Sequence, residues 1–149
     1  MITKLGKASL EQEIKNLKKE LQRTYEERNS AAAEGDLKEN SAYIFMGERA
    51  GVLSSQISEA IDDLKQSTIQ TAPTQCDTIC FGHQVSVIFE SDKRNLTLTL
   101  VGKNDARLKT DWISIKSPIG EALLGKKKND KVLVNDQIIT VTNISIGEI

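Results

Sequence analysis

Two runs of apolar residues alternate in steps of four and three, and this spacing constrains the chain more than any other feature. Leu10, Ile14, Leu17, Leu21, Thr24, Arg28 and Ala31 form the first run, and Met46, Ala50, Leu53, Ile57, Ala60 and Leu64 form the second. Such spacing is the seam of one helix packed on another. Each arm of twenty-odd residues predicts a helix of roughly 30 to 40 Å at about 1.5 Å per residue. Between them lies the polar stretch Gly35-Asp36-Leu37-Lys38-Glu39-Asn40. A connection this short predicts an antiparallel hairpin. Gly35 is the expected C′ residue of the first helix, and Ala31-Ala32-Ala33 before it allow close helix approach. Thr3 is a candidate N-cap ahead of the first run.

After a polar connector from Gln66 to Gln75, which contains Pro73 and should permit hinge motion, the period changes. Gln84 to Phe89, Asn95 to Val101 and Gln137 to Ile144 are alternating or β-branched and predict strands. Ser91 to Arg94 reads as a hairpin loop, and Lys131 to Val134 with Asn135-Asp136 as half of a second hairpin. Ser117, Pro118 and Gly125 punctuate a short helix as N-cap, N1 proline and C-terminal glycine. The expected fold class is α+β. Residues 1–75 form an antiparallel α-helical coiled-coil hairpin with an acidic tip, and residues 76–149 form a small antiparallel sheet domain with one short helix.

Charge narrows the function classes. Residues 1–75 hold 10 Lys/Arg against 12 Asp/Glu, and residues 76–149 hold 10 against 9, so no basic face is available for non-specific adhesion to duplex DNA. Lys4, Lys7, Glu11, Glu13 and Lys15 interrupt the apolar core that a signal peptide needs, and no run approaches the ~18 apolar residues of a membrane span. In an extended segment Cys76 and Cys80 would stand roughly 13 Å apart, too far for a disulfide, which fits two reduced cytosolic thiols. Lys126-Lys127-Lys128 with Lys131 is the densest basic run and reads as a solvated turn, or as a contact with an acidic surface or nucleic acid. His83 has no Ser, Cys or acid partner in sequence, which argues against nucleophilic catalysis.

The tip holds the candidate chemistry. Asp36 and Glu39 are three apart, so in a helical turn both carboxylates can converge on one cation. Mg²⁺ keeps several waters and is commonly held by one or two carboxylates together with phosphates, so a bare acidic pair suits completing another protein's site. Asp-x-x-Glu is also a capping box for the second helix, and an acidic tip also suits partner contact.

The hexapeptide 35–40, followed by Tyr43, resembles the tip signature of the bacterial GreA/GreB transcript cleavage factors. Thr3-x-x-Gly6-x-x-x-Leu10 with Glu13, Ile14 and Leu17 resembles the family's opening. Ile113-Ser114-Ile115-Lys116-Ser117-Pro118-Ile119 with Leu124-Gly125-Lys126 resembles its C-terminal domain. The resemblance implies an elongation factor, not itself an enzyme, whose hairpin enters the secondary channel of bacterial RNA polymerase. There Asp36 and Glu39 would help hold a second Mg²⁺ in the polymerase active centre, and water would cleave the extruded nascent RNA 3′ end.

On the same resemblance Gly35, Asn40 and Tyr43 shape the tip, Lys38 and Arg49 contact RNA or polymerase, and the C-terminal domain is FKBP-like, docking on polymerase around Ser117 and Pro118. A cytoplasmic monomer with no membrane partner is implied. The chain departs from the family where Ala32 and Gly47 replace basic residues and Ala42 an acidic one, which implies a weaker grip on extruded RNA or a channel-occupying inhibitor. Two other classes compete: a prolyl isomerase, which would need an aromatic pocket from Phe81, Phe89 and Trp112, and a pure coiled-coil adaptor.

Overall fold

The structure, a computed structural model, describes residues 1–33 and 41–149. It divides into two compact units, Ala8–Gln66 and a second made of Met1–Lys7 with Ser67–Ile149. The first seven residues and the connector after Gln66 therefore lie with the sheet, whereas the change of period alone suggested a boundary at 75/76. Backbone pairing accounts for the difference. Ile2 and Ile69 form a parallel bridge, with the Ile2 N–H donating to the Thr68 carbonyl at 3.0 Å and the Gln70 N–H to the Ile2 carbonyl at 2.9 Å.

In the helical unit, α1 spans Lys4–Ala33 and α2 spans Ser41–Gln66. The seam is the expected one: Leu10, Ile14, Ala50, Leu53, Ile57 and Ala60 are buried, and Leu17 and Leu21 are half-buried. Thr24 is also buried, and its hydroxyl donates to the Glu20 carbonyl at 2.9 Å, so the seam contains no orphaned hydroxyl there. Glu20 of α1 pairs with Arg49 of α2, while Arg28 lies on Tyr43. As residue numbers rise along α1 their partners' numbers fall along α2, so the hairpin is antiparallel.

The second unit is a five-stranded sheet in the order β3-β2-β1-β5-β4, built from β1 (His83–Phe89), β2 (Asn95–Val101), β3 (Trp112–Ser114), β4 (Lys131–Val134) and β5 (Gln137–Ile146). Neighbours pair antiparallel except β2 with β3, which is parallel, so the sheet is mixed. The spacing predicted no strand at β3, because three residues are too few to show a period. Asn135 and Asp136 have φ of 49° and 62°. Two successive left-handed residues define the primed turn that matches strand twist in a two-residue hairpin. β1 alternates buried and half-buried positions. Its Val85, Val87 and Phe89 meet Leu100, Val132, Ile139, Val141 and Leu123 of the short helix α3 (Pro118–Leu123) in one core. Full burial of such a side chain stabilises by roughly 1.5–3 kcal/mol.

Ser117 caps α3 as expected. Its hydroxyl accepts from the Gly120 N–H at 3.1 Å and donates to the Ser114 carbonyl at 2.6 Å, with Pro118 next in the chain. Gly125 beyond the helix has φ of 78°. Ser117→Ala removes the cap and should lower stability by about 1 kcal/mol, visible as a fall of about 4–8 °C in the unfolding midpoint of a unit this size.

On the open face Glu90 joins three elements. It accepts from the Thr140 hydroxyl at 2.7 Å, and Lys93 and Lys131 lie at 3.3 and 3.4 Å. The Thr140 bond first, then Lys93 and Lys131, hold its pKa at about 2 in place of 4.5. Because the folded value is the lower one, the stabilisation is complete above pH 4.5 and is lost as pH falls through about 2. Glu90→Gln should therefore unfold more easily than the parent at neutral pH, with the difference closing over that window in an acid titration. Water around this exposed group keeps the effect small.

Candidate functional site

Asp36 and Glu39, with Gly35, Lys38 and Asn40, lie outside the described residues. The residues on either side are described: α1 ends at Ala33 and α2 begins at Ser41. The acidic pair stands between those two points in sequence.

Below that interval, α1 and α2 are joined by Arg28. Its guanidinium lies 4.3 Å from the centre of the half-buried Tyr43 ring. A Cβ on Gly47 would come within 3.3 Å of the Arg28 Nη2 and 3.4 Å of its Cζ, so Gly47 leaves the room that the guanidinium fills. The Arg28 Nε is buried with no hydrogen-bond partner among the described residues; stacking on the ring partly offsets that cost. Tyr43, expected to shape the tip, thus has a concrete role in seating a cation between the helices. Gly47, where the family resemblance leads one to expect a basic residue, makes room for a basic side chain from α1. Arg49, expected to contact RNA or polymerase, forms an ion pair with Glu20.

Ser117 and Pro118 occupy the start of α3, where Ser117 is half-buried and Pro118 exposed. Phe81, Phe89 and Trp112 are all buried in packed cores. Beside Trp112 a cavity of about 350 Å³ is lined by Gln84, Thr99, Lys109, Asp111, Ile146 and Glu148, a polar set unlike the aromatic pocket that prolyl isomerisation requires. Lys126, Lys127 and Lys128 are exposed in a turn closed by the Lys127 N–H donating to Asp130 Oδ2 at 2.8 Å.

Two residues gained partners that residue type alone did not reveal. His83 is fully buried; its Nδ1 accepts from the Cys80 N–H at 3.1 Å, and its Nε2 lies 3.0 Å from the Pro73 carbonyl and is the protonated nitrogen. It ties the connector to β1. Asp105 is also fully buried and accepts from the Thr3 N–H at 3.1 and 3.2 Å, the Thr3 hydroxyl at 2.6 Å and the Gly102 N–H at 3.2 Å. The Thr3 hydroxyl in turn accepts from the Gly6 N–H at 2.9 Å, which makes Thr3 the N-cap of α1. The only sequence signal for this clasp was Thr3-x-x-Gly6. Both cysteines are free, and no helix among the described residues is long and apolar enough to cross a membrane.

Two family models match this chain: the N-terminal model of transcription elongation factors over residues 1–69, and the C-terminal GreA/GreB model over residues 73–146. Among curated proteins it is 37% identical to the transcription elongation factor GreA of Rhodospirillum rubrum over 131 residues, covering 87% of this chain and 83% of that one. It is 36% identical to the GreA of Maridesulfovibrio salexigens over 135 residues, covering 90% and 84%. Among solved structures, the GreA factor homologue of Thermus thermophilus aligns over 96% of both chains at 22% identity and a TM-score of 0.44.

Proposed function

Because this chain belongs to the GreA/GreB family of transcription elongation factors, we propose that it acts on bacterial RNA polymerase stalled with its RNA backtracked. The hairpin enters the secondary channel and presents Asp36 and Glu39 to the polymerase active centre, and the extruded RNA 3′ segment is cleaved so that elongation resumes. The protein stimulates the polymerase's own cleavage activity and has no complete active site of its own.

The observation that carries this reading is the pair of long antiparallel helices, 30 and 26 residues, between which the acidic pair stands in sequence. At about 1.5 Å per residue they extend roughly 45 and 39 Å, enough to reach a site recessed within a partner. Two carboxylates three residues apart are hard oxygen donors suited to Mg²⁺ alongside water and phosphate. When bound, that ion supplies activation of water and charge stabilisation at the phosphodiester. The chain's own contribution is to place the carboxylates, and the Arg28–Tyr43 stack braces the two helices behind them.

Purified protein added with Mg²⁺ to a backtracked ternary complex tests the reading directly. The expected result is a shortened transcript that can be extended again. A transcript of unchanged length under saturating protein would refute it.

A further inference from the structure

The sheet ends at β4, which is last in the strand order and has β5 on one side only. Which of its peptide groups face outward follows from its neighbour. The Ile138 carbonyl accepts from the Glu90 N–H at 2.9 Å, so Ile138 turns its peptide groups toward the end of β1 and away from β4. Bonding alternates along an antiparallel pair, so Leu133 opposite Ile138 and Lys131 opposite Thr140 are the non-hydrogen-bonded positions of the β4–β5 ladder. Their N–H and C=O groups face the open edge, where no backbone bond is made among the described residues. The outer face beside that edge is apolar: Leu133 is 68% exposed, and Ile138 across from it is 48% exposed. An outward lysine commonly guards such an edge. Here Lys131 reaches back to Glu90 at 3.4 Å, which neutralises its charge and leaves Leu133 uncovered.

We propose that this edge pairs antiparallel with the same edge of a second copy of the chain, joining two five-stranded sheets into one. What selects a second copy is self-complementarity. With Val132 on the two-fold axis, Lys131 of each copy stands opposite Leu133 of the other, and these are the residues whose peptide groups are open. The open N–H groups of the two edges then meet the open C=O groups with none left over. On the outer face each Leu133 lies beside the stem of the other copy's Lys131 and diagonal to the other copy's Leu133. The same register lays the exposed Lys126-Lys127-Lys128 run along the exposed Asn135-Asp136 turn of the second copy, where Asp136 supplies the opposite charge. An edge of four residues buries little area, so the dimer is weak and reversible. The inference departs from the monomer that the family resemblance implies and does not depend on the proposed function.

Sedimentation of the full chain under reducing conditions, from about 1 µM to about 1 mM, covers the range in which so small an interface associates. The parent is expected to move from the mass of one chain toward that of two as concentration rises. Two variants locate the contact. Leu133→Lys places an unpaired charge on the edge, and Leu133→Pro removes an N–H that faces away from β5, a position where a strand tolerates proline. Each should need at least about tenfold more protein to dimerise. If proline lowers the thermal midpoint, the lysine variant, altered only at an outward side chain, decides the test. In the parent, amide exchange at Lys131 and Leu133 should slow as concentration rises. A parent that keeps the mass of one chain throughout would overturn the inference. So would a dimer that Leu133→Lys leaves intact, or one that protects amides of α1 and α2 in place of β4. A single-chain parent whose Leu133→Lys variant binds RNA polymerase more weakly would overturn it too, by giving the edge to that partner.

Discussion

Asp36→Ala and Glu39→Ala, made singly in the full chain, are each expected to slow the shortening of backtracked RNA by about a hundredfold while leaving affinity for polymerase unchanged. A factor of that size corresponds to about 3 kcal/mol of lost transition-state stabilisation, the scale expected when one anionic ligand is removed from a centre where charge develops. The two changes should not add, because either carboxylate alone holds the ion poorly and the double variant has little left to lose. Raising Mg²⁺ should partly rescue the single variants, since the missing ligand weakens ion binding before anything else. The conservative Asp36→Asn keeps the shape and removes the charge, and should behave like alanine. If that variant keeps parental activity, the pair serves as a cap for α2 and the metal-assisting role falls.

The helical unit and most of the sheet could be read from spacing, because both encode their partners locally. Steps of four and three placed the buried Leu10, Ile14, Leu53 and Ile57, and alternation placed β2 at Asn95–Val101 to the residue. β3 escaped because its three residues take their strand character from a parallel neighbour, β2, across a crossover. His83 looked solitary because its partners are a backbone N–H and a backbone carbonyl, which every sequence supplies and no motif marks. Arg28 was legible as a seam position but not as a clamp, since its seat needs both the Tyr43 ring and the missing side chain at Gly47.

Asp105→Ala is expected to be the most destabilising single change outside the hydrophobic cores, by about 3–5 kcal/mol. The carboxylate takes hydrogen bonds from three groups, the Thr3 N–H, the Thr3 hydroxyl and the Gly102 N–H, all in a fully buried setting. Removing it leaves buried donors facing no acceptor, and each such orphan costs about 1–3 kcal/mol. Domains of this size are stable by about 5–15 kcal/mol, so the loss should appear as a large fall in the chemical-denaturation midpoint. Gly6 makes the same point from the opposite side. A Cβ there would sit 1.7 Å from Asp105 Oδ1 and 2.7 Å from its Cγ, so Gly6→Ala must push the carboxylate out of its cradle. Since both changes break one arrangement, Gly6→Ala in the Asp105→Ala background should cost far less than it does alone. Thermal and denaturant unfolding of the four proteins in this cycle measure that coupling. Simple additivity would mean that Gly6 is constrained by something other than the buried carboxylate, whereas strong coupling would identify Thr3-x-x-Gly6 as the local half of a clasp whose other half stands 102 residues away.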